Sequence, residues 1–367
     1  MLYVYSEKLL VDKWISTYNK FSPLFICILG FTETALIPEI SLAGTTSEAR
    51  KYTALADAEF LVKGISSSYK YSLPSLVQGI SPVFITRAII EHCQIPFYLF
   101  NTGLPSNPSF PCIDLKGKPA NCLSTGKALP LNLVTKLFYD GLAWGKKLTK
   151  NSNKKYLVLG ECVVGGTTTA LAVLKGLGVD ASQKVNSSYP YCDHNYKDLI
   201  VKEGFKKANY NFMDTPINPF ELIASVGDPM QITVAGMAIS ASLNTGLILA
   251  GGTQMLAVYQ LIKTIIKTFN YEANLENIIV GTTRWVLEDK TGDTLGLAKL
   301  IGEVPLLATQ LNFSNSCYEQ LQVYEEGYIK EGMGAGACAI TSSISYNLTQ
   351  KELLSIIESL VNGYHIR

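Results

Sequence analysis

The chain has 367 residues, which is enough for one large hydrophobic core, and 47% of them are apolar while 17% are charged. This balance indicates an α/β enzyme with a large interior and excludes a disordered or fibrous protein. The formal net charge of +1 and the lack of a Lys/Arg-rich block provide no field that attracts nucleic acid or an anionic membrane. We therefore expect neither as a partner.

The cysteines and histidines indicate the compartment and argue against a metal. The eight cysteines are scattered without a Cys-x-x-Cys pair, and no secretion signal precedes the first apolar segment. This pattern is typical of a cytoplasmic protein. Cys112 and Cys122 flank a polar turn, and the sequence leaves open whether they pair. The three histidines lack the spacing of metal ligands, so we predict no catalytic metal and no cofactor.

Continuous apolar runs predict buried parallel strands, because such strands are covered on both faces. In chain order these runs are Leu24–Leu29, Ile95–Phe100, Tyr156–Leu159, Leu247–Ala250, Ile278–Val280 and Leu306–Ala308. Helical spacing marks Val83–Cys93, Leu131–Thr149, Thr167–Leu177, Asn195–Ala208, Met230–Leu243, Gln254–Phe269 and Leu348–Val361. The alternation predicts a doubly wound α/β fold, with a mostly parallel sheet flanked by helices and ligands at the carboxyl ends of its strands.

Nothing in the sequence divides the chain into separable parts. Neither an internal repeat nor a low-complexity linker is present, so residues 1–367 are predicted to form a single domain. Terminal helices in residues 1–20 and 345–367 are expected to pack as a small subdomain. The segment 105–127 is dense in Pro, Asn, Gly and Ser and is expected to form a surface hairpin or excursion near the site.

A glycine-rich loop leads from the third predicted strand into a helix that begins with hydroxyl residues. A helix start offers unpaired N–H groups and about half a positive charge, and glycine lets an anion approach the main chain. Gly166 stands where a P-loop has its lysine. A monophosphate held by N–H groups of residues 164–168 and by Thr167 or Thr168 therefore fits better than a triphosphate. An ordinary strand-to-helix turn is the alternative.

Other loops carry candidate ligand contacts. Glu33 follows the first predicted strand and is either a ligand contact or a solvated residue. Asp228 precedes Pro229, which suits a helix N-cap as well as a ligand contact. Glu331 lies among glycines, where a desolvated carboxylate can act as a base. Its alternative role is an acid at a helix start, where the helix dipole favours it.

These motifs resemble those of the nicotinate-nucleotide:dimethylbenzimidazole phosphoribosyltransferase family. Residues 160–168 are similar to the G-E-M-G-I-G-N-T-T loop of that family, and residues 330–337 to its L-G-E-G-T-G-A-A segment. Residues 251–255 resemble the glycine-containing turn before its alanine-rich helix. The runs 30–38 and 52–58 resemble the branch of the family found in cyanobacteria and archaea, and this similarity covers nearly the whole chain.

The resemblance implies a pentosyltransferase, usually a homodimer, that moves the 5-phosphoribosyl group of nicotinate mononucleotide to a base nitrogen in cobamide lower-ligand assembly. Gly166 replaces an asparagine of the family, which leaves the acceptor open between a benzimidazole and a purine such as adenine. The glycines beside Glu331 make it the first candidate for the base, with Glu33 second. A non-catalytic protein that binds a nucleotide or phosphate for regulation is the alternative function.

The resemblance and the loops together give a set of substrate-binding candidates. Lys197 resembles a family lysine that opens a helix and helps to hold the phosphate, although a solvated helix lysine is equally compatible with its position. The predicted substrate-binding residues are Glu161, Gly165, Gly166, Thr167, Thr168, Lys197, Asp228, Gly251, Gly252, Gly332 and Gly334.

Overall fold

The structure is a computed structural model that describes residues 2–73, 78–150, 154–210 and 218–365. The strands are β1 (Leu2–Ser6), β2 (Ser22–Gly30), β3 (Phe97–Gly103), β4 (Ile113–Asp114), β5 (Lys155–Cys162), β6 (Leu247–Ala250), β7 (Ile278–Thr283) and β8 (Leu306–Thr309). The helices are α1 (Lys8–Tyr18), α2 (Ser47–Lys63), α3 (Val83–His92), α4 (Leu131–Thr149), α5 (Gly166–Gly176), α6 (His194–Lys207), α7 (Pro219–Val226), α8 (Pro229–Ser242), α9 (Thr253–Phe269), α10 (Arg284–Leu287), α11 (Thr294–Ile301), α12 (Glu319–Gln322), α13 (Ala335–Tyr346) and α14 (Gln350–His365). Short 3₁₀ turns cover Glu33–Leu36, Leu123–Thr125, Leu275–Asn277 and Val323–Glu326.

The strands form one sheet in the order β1-β8-β7-β6-β5-β2-β3-β4. All neighbouring pairs are parallel except β1 with β8, which is antiparallel. The chain runs outward from β2 to β3 and β4 on one side, and from β5 to β8 on the other. Strands β2 and β5 therefore flank a topological switch point, where the loops after them part and leave a crevice for a ligand.

Both faces of the sheet are buried, which explains the continuous apolar strands. In β2, Ile26 and Ile28 pack in the core layer that contains α4, α5, α8 and α9. Cys27 and Leu29 pack in the opposite layer with α2, α3 and α13. Alternate side chains of a strand point to opposite faces, so a strand covered on both sides needs apolar residues throughout. The predicted doubly wound α/β fold is confirmed.

Strands at the edges of the sheet were not predicted. Residues 1–20 hold strand β1 before helix α1, and the segment 105–127 contributes β4 beside β3. Strand β4 is parallel to β3, so the segment 105–127 does not form a hairpin with that strand; it is an excursion that is largely exposed or half-buried and that buries Ala120 and Leu123. Cys112 and Cys122 are free thiols.

The terminal helices pack on different neighbours. Helix α1 contacts β1 and the turn Leu275–Asn277, while α14 packs against α3. Their association as a small subdomain stays a prediction. Among the described residues, no helix is both long enough and apolar enough to cross a membrane.

Candidate functional site

A cavity of about 150 Å³ opens at the carboxyl ends of the parallel strands. One water molecule needs ~10–15 Å³ in such a measure, so the cavity has room for a small ligand. Loops that follow β2 and β5, the two strands at the switch point, form part of its wall. The lining residues are 40–43, 161–167, 186–188, 252–254 and 329–333, with Thr53, Asp57, Ser81, Pro82 and Val286.

The start of helix α5 faces this cavity. Gly165 caps the helix in the left-handed conformation with φ of 80°, and a Cβ there would lie 3.0 Å from the backbone nitrogen of Ala35. Glycine is needed on both counts. The N–H groups of Gly166 and Thr168 donate to the carbonyls of Val163 and Gly165 at 3.1 and 3.0 Å, so two of the predicted phosphate donors already have a partner within the turn.

Lys197 supports this helix start from behind and does not itself line the cavity. The residue is 3% exposed, and its ammonium donates to Thr167 Oγ1 and to the carbonyl of Asn186, both at 2.8 Å. Burial lowers the pKa of Lys197 from its usual value. The alternative of a solvated lysine is excluded by this position.

Glu161 lies at the end of β5 in the floor of the cavity. Its Oε2 accepts from the N–H of Val163 at 2.9 Å, and its Oε1 accepts from Gln254 Nε2 at 2.9 Å. Burial, with the charges of Asp228 and Glu331 adding to it, raises the pKa of Glu161 to about 8 against these hydrogen bonds. The carboxyl therefore titrates close to neutral pH.

Gln254 fills the space left by the missing side chain of Gly166. A Cβ on Gly166 would lie 1.9 Å from Gln254 Oε1. That oxygen is buried and has no hydrogen-bond partner among the described residues. Gly166, Gln254 and Glu161 thus form one contact chain, so a side chain at position 166 must displace the amide that holds the Glu161 carboxyl.

Glu331 also lines the cavity, and its carboxyl is fully engaged in hydrogen bonds. Oε1 accepts from the N–H groups of Gly332 and Gly336, and Oε2 accepts from Thr282 Oγ1 and the N–H of Thr283, all at 3.1 Å. Burial raises the pKa of Glu331 to about 7, although each of these donors favours the ionised form. The carboxyl joins the end of β7 to the first turn of α13, where the helix dipole favours an acid.

The backbone around Glu331 is in an unusual conformation. Ile329, Lys330 and Met333 have φ values of 67°, 70° and 52°, in the left-handed region that a β-branched residue rarely adopts. Lys330 ties this loop down, because its buried ammonium contacts Asp289 Oδ2 at 2.9 Å and donates to the carbonyls of Ser187 and Tyr189. Such strain is retained where surrounding contacts enforce it, and it concentrates at functional sites.

Asp57 on α2 is the third buried carboxyl of the cavity. Its Oδ1 accepts from Ser81 Oγ at 2.7 Å, and its Oδ2 lies 3.8 Å from the Cys162 thiol. Burial raises the pKa of Asp57 to about 7 against both contacts. Sequence reasoning did not select Asp57 as a site residue. The available signal was an acid flanked by alanines, Ala54, Ala56 and Ala58, in a run that resembles the cyanobacterial branch.

The predicted residues divide into those that line the cavity and those that lie around it. The lining includes Glu161, Gly165, Gly166, Thr167, Gly252, Glu331 and Gly332. Outside it lie Thr168, Lys197, Asp228, Gly251, Gly334 and Glu33. The structure therefore brings together the two glycine-rich blocks, as their resemblance to one family implies.

The residues outside the lining have other contacts. Asp228 forms a capping box with Gln231 at the start of α8, and its Oδ2 accepts from Thr169 Oγ1 at 2.6 Å. Gly334 caps α13 with φ of 73°. Glu33 is exposed and accepts from the N–H of Cys122 at 3.4 Å, so it is a poor candidate for the reacting centre.

Two further predicted residues also lie behind the cavity surface. Thr168 is fully buried, and its hydroxyl has no hydrogen-bond partner among the described residues. Gly251 has φ of 154° and donates to the carbonyl of Gly281 at 2.9 Å. Within the described ranges, no group of three or more His, Cys, Asp or Glu side chains is arranged to hold a metal ion.

The buried carboxyls predict an unusual dependence of stability on pH. Glu161 has a folded-state pKa raised to about 8, so its contribution to stability is present at low pH and is lost as pH rises from about 4.5 to about 8. We expect Glu161→Gln to raise the free energy of unfolding at about pH 9 by on the order of 1–2 kcal/mol and to flatten its fall across that window. Urea unfolding at several pH values measures this.

Glu59 on α2 provides a control, because its pKa is shifted in the opposite direction. It is buried too, but Lys63 and the N–H groups of Lys70 and Tyr71 outweigh its desolvation and lower its pKa to about 2. Glu59→Gln should therefore destabilise the protein at neutral pH. If Glu161→Gln destabilised the protein equally at about pH 9, Glu161 would be a stabilising anion and not a strained one.

The fold around this cavity is that of the nicotinate-nucleotide-dimethylbenzimidazole phosphoribosyltransferases. The crystal structure of that enzyme from Thermus thermophilus matches with a TM-score of 0.56 at 15% identity, over 91% of this chain and 86% of the enzyme. A structure of CobT from the same organism matches with a TM-score of 0.53 at 14% identity. At these identities the likeness establishes the fold alone.

Sequence relatives place the chain in a family. The UPF0284 protein of Crocosphaera subtropica is 67% identical over 365 residues, covering 100% of this chain and 99% of the relative. The UPF0284 protein of Rippkaea orientalis is 60% identical over 363 residues, covering 99% of both chains. The chain therefore belongs to the UPF0284 family. A scan of protein-family models found no match.

Proposed function

We propose that this protein is a phosphoribosyltransferase that moves the 5-phosphoribosyl group of nicotinate mononucleotide to a ring nitrogen of a purine or benzimidazole base. The reaction would serve assembly of the cobamide lower ligand, and a homodimer is the expected assembly. The observation that carries this proposal is the juxtaposition, in one cavity, of the α5 helix start with the buried carboxyls Glu161 and Glu331. The fold shared with the phosphoribosyltransferases supports it.

In this proposal the phosphate of the donor binds at the start of α5. The partial positive charge of the helix start and the nearby ammonium of Lys197 favour a single phosphate there. Glu161 at the cavity floor would then hold ribose hydroxyls, because a carboxylate that touched the phosphate would repel it. Glu331, which also lines the cavity, would lie where the sugar meets the base.

Transfer requires one bond to break and one to form at C1′ of the ribose. The bond from C1′ to the pyridinium nitrogen breaks, and its electron pair leaves with nicotinate. A ring nitrogen of the acceptor donates its lone pair to C1′, and the proton on the acceptor ring passes to a carboxylate. The sugar develops positive charge between these steps, which ionised carboxyls nearby stabilise.

Glu331 is our candidate for the proton acceptor. All four of its hydrogen-bond positions are occupied, so one donor must turn away before a proton can be taken. Thr282 supplies a hydroxyl, which rotates freely, whereas the other three donors are backbone N–H groups. We infer that the Oε2 position held by Thr282 receives the proton. Burial raises the pKa of Glu161 to about 8, so at neutral pH that carboxyl is largely protonated and serves to hold ribose hydroxyls.

Product analysis tests the proposal. The protein is incubated with nicotinate mononucleotide and each of a panel of bases, and the mixture is examined by mass spectrometry for a base ribotide and for nicotinate. We expect both products in equal amounts with at least one base. Tight binding of nicotinate mononucleotide without either product would favour the alternative of a non-catalytic regulatory protein.

Lys197 should contribute to donor binding through Thr167. We expect Lys197→Met to weaken the binding of nicotinate mononucleotide by about 10–100-fold, since a buried ammonium one side chain away from the phosphate contributes on the order of 1.5–3 kcal/mol through space without touching it. Calorimetric titration at low salt measures the affinity. Lys175→Met is the matched control, because Lys175 lies on the same helix α5 and bonds to Asp198 outside the cavity lining. Equal affinities in the two variants would assign Lys197 a purely structural role.

A further inference from the structure

Asp57 has an oxygen that the protein leaves nearly without a partner. The residue is 5% exposed and lines the cavity, and Oδ1 accepts a full hydrogen bond from Ser81. For Oδ2 the structure gives a contact to the Cys162 thiol at 3.8 Å, and a thiol is a weak donor. A buried carboxylate oxygen normally has a stronger partner, so this one is available to a donor group on a ligand.

The position of Asp57 assigns it to the acceptor and not to the donor phosphate. Helix α2 lies in the core layer with α3 and α13, whereas α5 and α9 lie in the layer on the other face of the sheet. Residues of both layers therefore line the cavity, with the α5 helix start in one layer and Asp57 on a helix of the other. A carboxyl on this layer disfavours a phosphate and favours a ligand group that donates hydrogen bonds, such as the edge of the incoming base.

The wall beside Asp57 suits a flat aromatic ring. Pro82 and Met333 line the cavity on this side, and both offer apolar surface. A methionine thioether packs favourably against aromatic rings. Apolar walls beside a carboxyl suit a planar heterocycle, which such a site selects by the groups on one edge of the ring.

We propose that Asp57 recognises an amino group on the edge of the acceptor base, so that the protein takes an aminopurine in preference to a purine or benzimidazole without that group. This proposal rests on the proposed transferase function, which makes the bound base an acceptor. The preference between bases can nevertheless be measured by binding alone, without turnover. An ionised carboxyl accepts from the amino N–H. The neutral acid keeps an acceptor oxygen for the amino group when its proton is on the other oxygen.

Burial brings the pKa of Asp57 close to neutral pH, where its ionised and its neutral form coexist. Desolvation raises the pKa of Asp57 to about 7, against the hydrogen bonds from Ser81 and Cys162. Either protonation state has an acceptor oxygen for an amino group. A base that presents methyl groups at this edge would leave Oδ2 buried without a partner, which is the basis of strong discrimination by polar sites.

Adenine and purine are the probes, because they share one ring system and differ by the amino group. We expect calorimetric titration to show that wild type binds adenine about 10–100-fold more tightly than purine. Asp57→Leu should bring the ratio close to one. Asp57→Asn, which keeps an acceptor oxygen, should retain part of the preference. Glu59→Gln on the same helix is the control, since Glu59 bonds to Lys63 outside the cavity lining and should leave the ratio unchanged.

Adenine and purine are titrated against the same sample of each variant. A smaller fraction of folded protein therefore affects both titrations equally and cancels in the ratio of the two affinities. Equal binding of the two bases by wild type would overturn the proposal, as would a preference that survives in Asp57→Leu. The product assay separates this outcome from the transferase function. A preference that depends on Asp57 without any ribotide formed would retain Asp57 as a base-recognition residue and reject the transfer reaction.

Discussion

Glu331→Gln is expected to lower kcat by about 10²–10⁴-fold, the usual contribution of a general base, while donor binding changes little. The wild-type kcat should rise with pH through about 7, because the carboxyl must be ionised to take a proton and burial raises its pKa to about 7. This rise should be missing in the variant. Steady-state rates between about pH 5 and 9 test both statements.

A purely structural effect of this substitution can be recognised. The new amide would place its NH₂ group against donors such as the N–H groups of Gly332 and Gly336, or of Thr283, and some loss of stability is expected. Titration with nicotinate mononucleotide controls for this, because folded variant should bind the donor within about threefold of wild type. A variant with full turnover would reassign the base.

Gly166→Val is expected to weaken the binding of nicotinate mononucleotide by about 100-fold, through loss of charge-assisted contacts at the start of α5. Gly166 is the first residue of α5, so the cause is space and not an unusual backbone. The Cβ would meet Gln254 Oε1 at 1.9 Å and displace the amide that holds Glu161. Calorimetric titration measures the affinity.

A double-mutant cycle isolates this contact. Gly166→Ala introduces the same Cβ, and in a Gln254→Ala background the atom it strikes is absent. We expect the cost of Gly166→Ala in donor affinity to fall to about twofold or less in that background. The same cost in both backgrounds would show that Gln254 is not the obstacle. Unchanged affinity in Gly166→Val would contradict an anion site at this helix start.

The strands and helices could be predicted where their residues follow a simple hydrophobic pattern, either a continuous apolar run or helical spacing. Continuous apolar runs gave β6 (Leu247–Ala250) at its observed bounds, and helical spacing did the same for α4 (Leu131–Thr149). Strand β1 was not predicted, because an edge strand has one partner and its residues are only partly buried. Helix α2 was not predicted, because it buries Arg50, Asp57 and Glu59 among its apolar residues and so lacks an apolar stripe in the sequence.

The site was predictable where its chemistry is local in sequence. The glycine loop before α5 and the glycines around Glu331 are visible as short motifs, and both line the cavity. Asp57 approaches Cys162 across 105 positions of sequence, and Gln254 reaches Glu161 across 93. Such contacts are created by the crossing order of the strands, which no local pattern encodes. Glu33 shows the reverse case, a polar loop residue that the fold leaves in solvent.

Isotope transfer tests the central claim most directly. Nicotinate mononucleotide carrying ¹³C in its ribose is incubated with the protein and adenine, and the adenine product is analysed by mass spectrometry. The account predicts an adenine ribotide that contains the complete labelled ribose and its phosphate, formed together with an equal amount of free nicotinate and strongly reduced in Glu331→Gln. Recovery of intact labelled nicotinate mononucleotide with adenine, and likewise with purine and dimethylbenzimidazole, would contradict it.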